Sequence, residues 1–368
     1  MCFAKPLKNN RTRYRLVSNQ RGVAILVALG VIAVLFTAGL ELNRRIRGSV
    51  SNAIRARERL VLSEMAVSGA QTAMVMLIND RKENNSDTLQ EDWANPEKVA
   101  EMVELIPFDD GTLDVSITDE RGKIQVNALV QFPEGQQFAP AQRMLWERLL
   151  DQVFSMFEDP PDSDPSMIIN SLKDWLDDGD DEAITGLSGA ESDYYEQLDP
   201  PYSCKNGPFD NLGEIALVQG VTPELFYGAG GVAGISSLLT VHGLSASGDN
   251  QFSYDGKINI STADALVLSA LLPSENSELA QALVDFRVAK EDDTYINPIN
   301  DTGWYKNVPG AAGLDIDPNL LTVSSDLFRI VSTAKRGEST YTLTTVVQRE
   351  QEEETGRWIC KTLIWQAE

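Results

Sequence analysis

Six carboxylates fall within nine residues of this chain: Asp174, Asp177, Asp178, Asp180, Asp181 and Glu182, with Glu191 and Asp193 close behind. Charges this dense repel one another unless a cation sits among them. No His or Cys lies in the stretch, and a donor set made only of oxygens suits calcium rather than zinc or copper. Gly179 and Gly186 permit tight turns there. The spacing is not that of an EF-hand, because the Asp-x-Asp-Gly core and the glutamate at the twelfth position are missing. A solvated acidic loop is the alternative reading. Asp315-Ile316-Asp317 and Glu291-Asp292-Asp293 are rival acidic spots.

Little else in the chain is suited to catalysis. The single histidine, His242, sits in a Gly/Ser-rich stretch without an evident partner. Cys204 and Cys360 have no second histidine or basic helix start to activate a thiolate. The glycines from Gly228 to Gly234 lack the Lys-Ser/Thr that follows in a phosphate loop. In a chain with 55 acidic side chains, paired carboxylates carry no information about a glycosidase site. The net charge of −24 also argues against nucleic-acid binding, which needs the opposite sign.

The elements that hold the acidic loop begin at a membrane. A basic leader with Arg13, Arg15 and Arg21 ends in Gly22, and an apolar run follows over residues 23–40, broken only by Thr37. Its length, roughly 27 Å at ~1.5 Å per residue, matches the ~30 Å hydrocarbon core of a bilayer. Glu41, Arg44, Arg45 and Arg47 then restore the charge. Apolar residues continue at three- and four-residue steps from Ile46 to Leu77, and no proline falls between Pro6 and Pro96. The pattern predicts one helix over residues 23–79, membrane-spanning in 23–40 and amphipathic beyond. The leader holds six basic and no acidic residues, so it stays cytoplasmic under the positive-inside rule and the remainder is exported. In an oxidising compartment Cys204 and Cys360 are a candidate disulfide or two separate buried thiols.

The exported part reads as α+β. Residues 113–118 and 123–126 alternate as strands around an Asp119-Glu120-Arg121-Gly122 turn, and residues 327–334, 340–348 and 358–365 give a stronger strand signal. Strands at both ends with helices between predict an antiparallel sheet, packed on the long helix and interrupted by an insertion. The predicted division is 80–133 with 254–368 for the α/β domain and 134–253 for a helical inserted domain. Within the insertion, helices are expected over 139–157 and 165–176. Leu212 to Leu225 reads as a helix-hairpin-helix, used as a protein-contact module because basic residues are missing.

Several of these segments resemble a known family. Arg21-Gly22 followed by Val23-Ala24-Ile25-Leu26-Val27 resembles the leader of type IV pilins and type II secretion pseudopilins. The resemblance implies that a prepilin peptidase cuts after Gly22, leaving a methylated Val23. Most of these proteins carry glutamate at the fifth mature position, where this chain has Val27. That departure is similar to the minor pseudopilin K family of the type II secretion system. Gly122-Lys123-Ile124-Gln125-Val126-Asn127-Ala128, Asp174-Trp175-Leu176-Asp177, Gly189-Ala190-Glu191-Ser192-Asp193-Tyr194-Tyr195, Pro200-Pro201-Tyr202 and Gly256-Lys257-Ile258-Asn259-Ile260 follow in that family's order.

The resemblance implies a fibre-tip subunit in the bacterial inner membrane, single-pass, with its bulk in the periplasm. It would assemble with minor pseudopilins I and J, with H as a further partner, on the inner-membrane secretion platform. It also implies calcium in the helical domain, for which Asp177, Asp180, Glu191 and Asp193 are the expected ligands. A minor pilin of a type IV pilus is the alternative. A membrane-anchored periplasmic hydrolase is the third reading, and the poverty of activated nucleophiles disfavours it.

Overall fold

The computed structural model describes residues 1, 20–108, 110–133, 135–158, 163–179, 184–246 and 252–368. Helix α1 (Gln20–Glu83) runs without interruption, four residues past the predicted end. Arg81 and Lys82 occupy its last turn, where they complement the helix dipole. The chain divides into two compact units, residues 1–61 and 62–368, and α1 contributes to both. In the first unit the residues from 22 to 57 are all exposed. No residue of the apolar window there is buried. A helix that is apolar all round and uncovered is suited to lipid rather than to water.

In the second unit α1 buries Leu62, Met65, Ala66, Ala70, Ala73 and Leu77. Burial therefore starts at Leu62, and the predicted apolar positions from Ile46 to Leu60 are uncovered. The buried stripe meets a four-stranded antiparallel sheet made of β1 (Thr112–Asp119) and the three C-terminal strands β12 (Leu327–Arg336), β13 (Ser339–Gln351) and β14 (Trp358–Ala367), in that spatial order. Alternating burial along β12 puts one face against the helix. Helix and sheet approach closely at Gly69, where a Cβ would overlap Ser332 Oγ and Val115 Cγ2.

Everything from residue 120 to 326 is inserted between β1 and β12, which are neighbours with Asp119 opposite Phe328. The insertion is thus wider than the predicted 134–253. The predicted second strand of the main sheet is instead a two-residue strand, β2 (Ile124–Gln125), paired in parallel with β5 (Leu239–Thr240). Its echo, β8 (Ile258–Asn259), pairs in parallel with β11 (Leu321–Thr322). Three short ribbons complete the strands: β3 (Gly228–Ala229) with β4 (Val232–Ala233), β6 (Leu244–Ala246) with β7 (Phe252–Tyr254), and β9 (Lys290–Glu291) with β10 (Thr294–Tyr295).

Helix α2 (Pro96–Glu104) precedes the sheet. The insertion carries α3 (Pro140–Met156), α4 (Pro165–Leu176), α5 (Ser192–Tyr195), α6 (Pro223–Tyr227), α7 (Ala265–Leu271) and α8 (Leu279–Val288). One apolar core runs through it, from Ile124 and Trp146 to Trp304 and Leu321. Residues 270–326 are part of that core, through Leu283, Ile299 and Trp304. The helix-hairpin-helix expectation is met by a 3-10 turn, Leu212–Leu217, and by α6, whose Thr222 cap accepts from Leu225 N–H at 3.2 Å.

Cys204 and Cys360 are not bonded to each other, which corrects the disulfide reading. Cys204 Sγ lies 3.5 Å from the Asp174 carbonyl inside the insertion. Cys360 Sγ faces the Met74 carbonyl of α1 at 3.8 Å. The two thiols belong to different packing regions, and burial pushes the Cys360 thiol up to about 11.

Polar groups close the seam between α1, the sheet and the insertion. Arg349 on β13 donates to the Leu77 carbonyl (2.8 Å), Asp80 Oδ2 (3.2 Å), the Ser325 carbonyl (2.8 Å) and the buried Asp87 carboxylate. Asp80, Asp87 and Glu91 bring carboxylate oxygens within 4.8 Å of one another. Glu91 accepts from Trp93 Nε1 at 2.8 Å and from Thr88 N–H at 3.1 Å. Burial, and after it the charge of Asp80, pushes Glu91 up to about 7.

The folded state therefore holds a proton on Glu91 that the unfolded chain releases near 4.5, the ordinary glutamate value. Stability from this group is complete below that value and is lost as pH rises to about 7. Glu91→Gln mimics the protonated acid. Its unfolding midpoint should match that of the parent at low pH and exceed it above neutrality. Parallel midpoint-against-pH curves would refute this account of Glu91.

Candidate functional site: a buried carboxylate cluster

Helix α4 supplies the first side chain of the site. Asp164 caps it, accepting from Ser166 N–H at 2.7 Å, and Pro165 occupies its first turn. Ile168, Ile169, Leu172, Trp175 and Leu176 bury one face. Asp174 lies in that buried run, and Asp177 is the residue at which the helix gives way to extended backbone. Glu191 immediately precedes α5. All three are buried, and each contributes one oxygen to a group lying within 4.8 Å of one another.

The surroundings are largely apolar and aromatic. Trp175 meets Tyr195 edge-on at 5.2 Å and stacks on Phe209 at 6.1 Å. Tyr195 stacks on Tyr202 at 5.3 Å, and its hydroxyl accepts from Gln219 N–H at 3.2 Å. Backbone shapes the floor. Thr185 N–H donates to both Asp174 oxygens, at 3.0 and 3.1 Å. Gly189 passes so near that a Cβ would overlap Asp174 Oδ2. Gly135, at φ +71°, lies against the Leu176 carbonyl and Asp177 Cα, where a side chain would be both strained and obstructed.

Lys173 Nζ meets Asp177 Oδ2 at 2.9 Å and is the cation paired with the cluster among the described residues. Among the described residues, Asp177 Oδ1 is buried without a hydrogen-bond partner. Burial raises the Asp174 carboxyl, the hydrogen bonds from Thr185 oppose the shift, and the Asp177 charge adds to it. A buried carboxylate oxygen left unmet is costly. Ligands of one calcium ion stand ~2.3–2.6 Å from it, hence within about 5 Å of each other. The three oxygens satisfy that limit, and the donor set fits a hard dication.

Of the ligands expected from sequence, Asp177 and Glu191 are brought together here. Asp180 lies outside the described residues, as do Asp181 and Glu182. Asp193 is exposed on α5, where its carbonyl accepts from Gln197, and it is not among the clustered carboxylates. Asp174 was not among the expected ligands. Its signal was positional, since it shares the buried side of α4 with Ser171 and Trp175. The rival acidic spots do not converge: Asp315 and Asp317 are exposed, and Glu291 to Asp293 form the exposed β9–β10 turn. Gly22 and Val23 both lie within α1, exposed.

Comparison with known proteins bears on the same region. The family described as "Type II secretion system (T2SS), protein K" matches residues 122–228, which include all three clustered carboxylates. Curated relatives include type II secretion system protein K of Klebsiella pneumoniae, 24% identical over 212 residues, covering 56% of this chain and 60% of the relative. The Aeromonas hydrophila protein of the same name is 27% identical over 220 residues, covering 56% and 61%. The chain thus spans about six tenths of the length of these relatives. Among solved structures, the GspK-GspI-GspJ complex of the enterotoxigenic Escherichia coli type 2 secretion system matches with a TM-score of 0.59 at 19% identity. The match covers 85% of this chain and 99% of that one, a likeness of fold.

The close approach at Gly189 yields a direct test. Gly189→Ala forces its new methyl against Asp174 and should cost about 1–3 kcal/mol in urea unfolding, as overpacked sites do. Gly207, with nothing within 4 Å of its Cβ position, is the control, and Gly207→Ala should cost clearly less. Equal losses would show that the Asp174 floor is not tightly built.

Proposed function

We propose that this chain, whose residues 122–228 match the type II secretion system protein K family, is a minor pseudopilin that starts and caps the periplasmic pseudopilus. The match over the insertion carries this reading. The exposed apolar part of α1 anchors the chain in the inner membrane until assembly. The relative solved as a complex contains subunits I and J, and this chain is proposed to pack its helix beside subunits of those two kinds. Prepilin peptidase cutting after Gly22 would leave Val23 as the first mature residue. A carboxylate deep in the bilayer is costly without a partner, and Val27 needs none, which suits a first subunit.

The breadth of the insertion supports the capping role. Residues 120–326 emerge between two adjacent strands and carry their own core. So wide a head would block addition of a further subunit above it. The work is assembly, not reaction. Deleting the gene should stop export of folded periplasmic proteins, and restoring the full chain should restore it. Normal export with loss of surface pili would favour the type IV minor pilin instead.

Asp174, Asp177 and Glu191 are proposed to hold calcium, with Asp177 Oδ1 as the oxygen most in need of it. Bound calcium would supply positive charge to a buried site in which, among the described residues, Lys173 meets Asp177. The purified chain should unfold at a higher temperature in calcium than in chelator, by the equivalent of about 2.7 kcal/mol at a hundredfold excess over the dissociation constant. Asp177→Asn should abolish the difference. A parent midpoint indifferent to chelator would leave the cluster without a resident ion.

A further inference from the structure

The exported side of the membrane span carries a basic patch beside the apolar positions proposed for assembly. Between residues 41 and 60 there are six arginines (Arg44, Arg45, Arg47, Arg55, Arg57 and Arg59), two glutamates and no lysine. All six arginines are exposed on α1. Arg45 is bridged to Glu41 at 3.0 Å, but both side chains are more than half exposed, and such a pair is weak and screened. Basic residues this close to the exported end of a span oppose the positive-inside signal of the leader. They weaken orientation, so a local partner is needed to offset them.

Distance separates the six into two groups. At ~1.5 Å per residue, Arg44, Arg45 and Arg47 lie about 6–10 Å along the axis from Leu40. The headgroup layer extends roughly 5–8 Å beyond the hydrocarbon, and the screening length is about 8 Å at physiological salt. Arg55, Arg57 and Arg59 lie about 22–28 Å out, beyond both. A guanidinium offers a planar fork that takes phosphate oxygens in pairs, which an ammonium does not. We infer that Arg44, Arg45 and Arg47 form a collar that binds the phosphodiester headgroups of anionic phospholipid in the periplasmic leaflet. The inference rests on the anchor reading of residues 23–40.

The test uses the full chain in nanodiscs of phosphatidylcholine containing a minority of phosphatidylglycerol. The lipid retained by the protein is read by native mass spectrometry after ejection. The parent should retain phosphatidylglycerol in excess of its share of the disc, and R44Q/R45Q/R47Q should lose that excess. About fivefold preference per arginine is expected near a charged surface. R55Q/R57Q/R59Q removes equal charge and should keep the preference. No enrichment in the parent, or equal loss in both triples, would overturn the collar. So would a first triple that keeps its lipid but no longer co-purifies with minor pseudopilins, since that would assign the arginines to an acidic partner helix. Failure of the parent to enter discs at all would be a distinct result, refuting the anchor and the collar with it.

Discussion

Arg349 carries a permanent positive charge into the interior, and its guanidinium can remain there only if oxygens meet it from several sides. Those oxygens come from the last turns of α1 (the Leu77 carbonyl and Asp80), from the segment after it (Asp87) and from the segment leading into β12 (the Ser325 carbonyl). The guanidinium also lies 4.9 Å over the Phe328 ring. Asp87 is committed in turn: its Oδ2 accepts from Ser325 N–H at 2.8 Å, and its carbonyl from Asn259 Nδ2 at 2.8 Å. Helix, sheet and insertion are thus positioned by one another. Removing either charge of such a buried pair typically costs about 3–5 kcal/mol.

The neck of the insertion uses the same principle nearer the surface. Chain leaving β1 and chain returning to β12 are adjacent, and ion pairs cross between them. Arg121 Nε meets Asp326 at 2.5 Å, and Arg329 Nε meets Glu120 at 2.7 Å. Burial would raise the Glu120 carboxyl, but Lys123 and Arg329 overrule it and hold it down at about 2. With the two ends fastened, the length between them matters little, because loop-closure cost grows only logarithmically. A sheet can therefore accept residues 120–326 between neighbouring strands, provided the inserted part buries its own apolar surface. Trp146, Trp304 and the rest of its core do so.

Local signals in the sequence were legible wherever one interaction dominated. Alternation placed the C-terminal strands within three residues of their ends, and caps at Asp164 and Thr222 placed α4 and α6. The insertion boundary was not legible. Ile124 and Gln125 look like any strand, and only the three-dimensional partner, β5, takes them out of the main sheet. Periodicity continued through Ile46, Val50 and Ile54, which are exposed. An apolar stripe reports that a partner is needed, not which chain provides it. Cys204 and Cys360 show the same limit, since an even count cannot reveal that the thiols face different neighbours.

Two carboxylate triads in one chain solve the same electrostatic problem differently, and the contrast bears on what each is for. Asp80, Asp87 and Glu91 crowd together around a guanidinium from their own fold, and Glu91 is further relieved by holding a proton near neutrality. That triad is complete within the protein. In the other triad, among the described residues, Lys173 meets Asp177 and the Thr185 peptide donates to Asp174. Asp177 Oδ1 remains buried and unmet among those residues. Glycine at 189 and 135 keeps backbone close and side chains out of the way. Backbone packed this closely leaves the carboxylate oxygens facing one another, which suits the cation proposed for them.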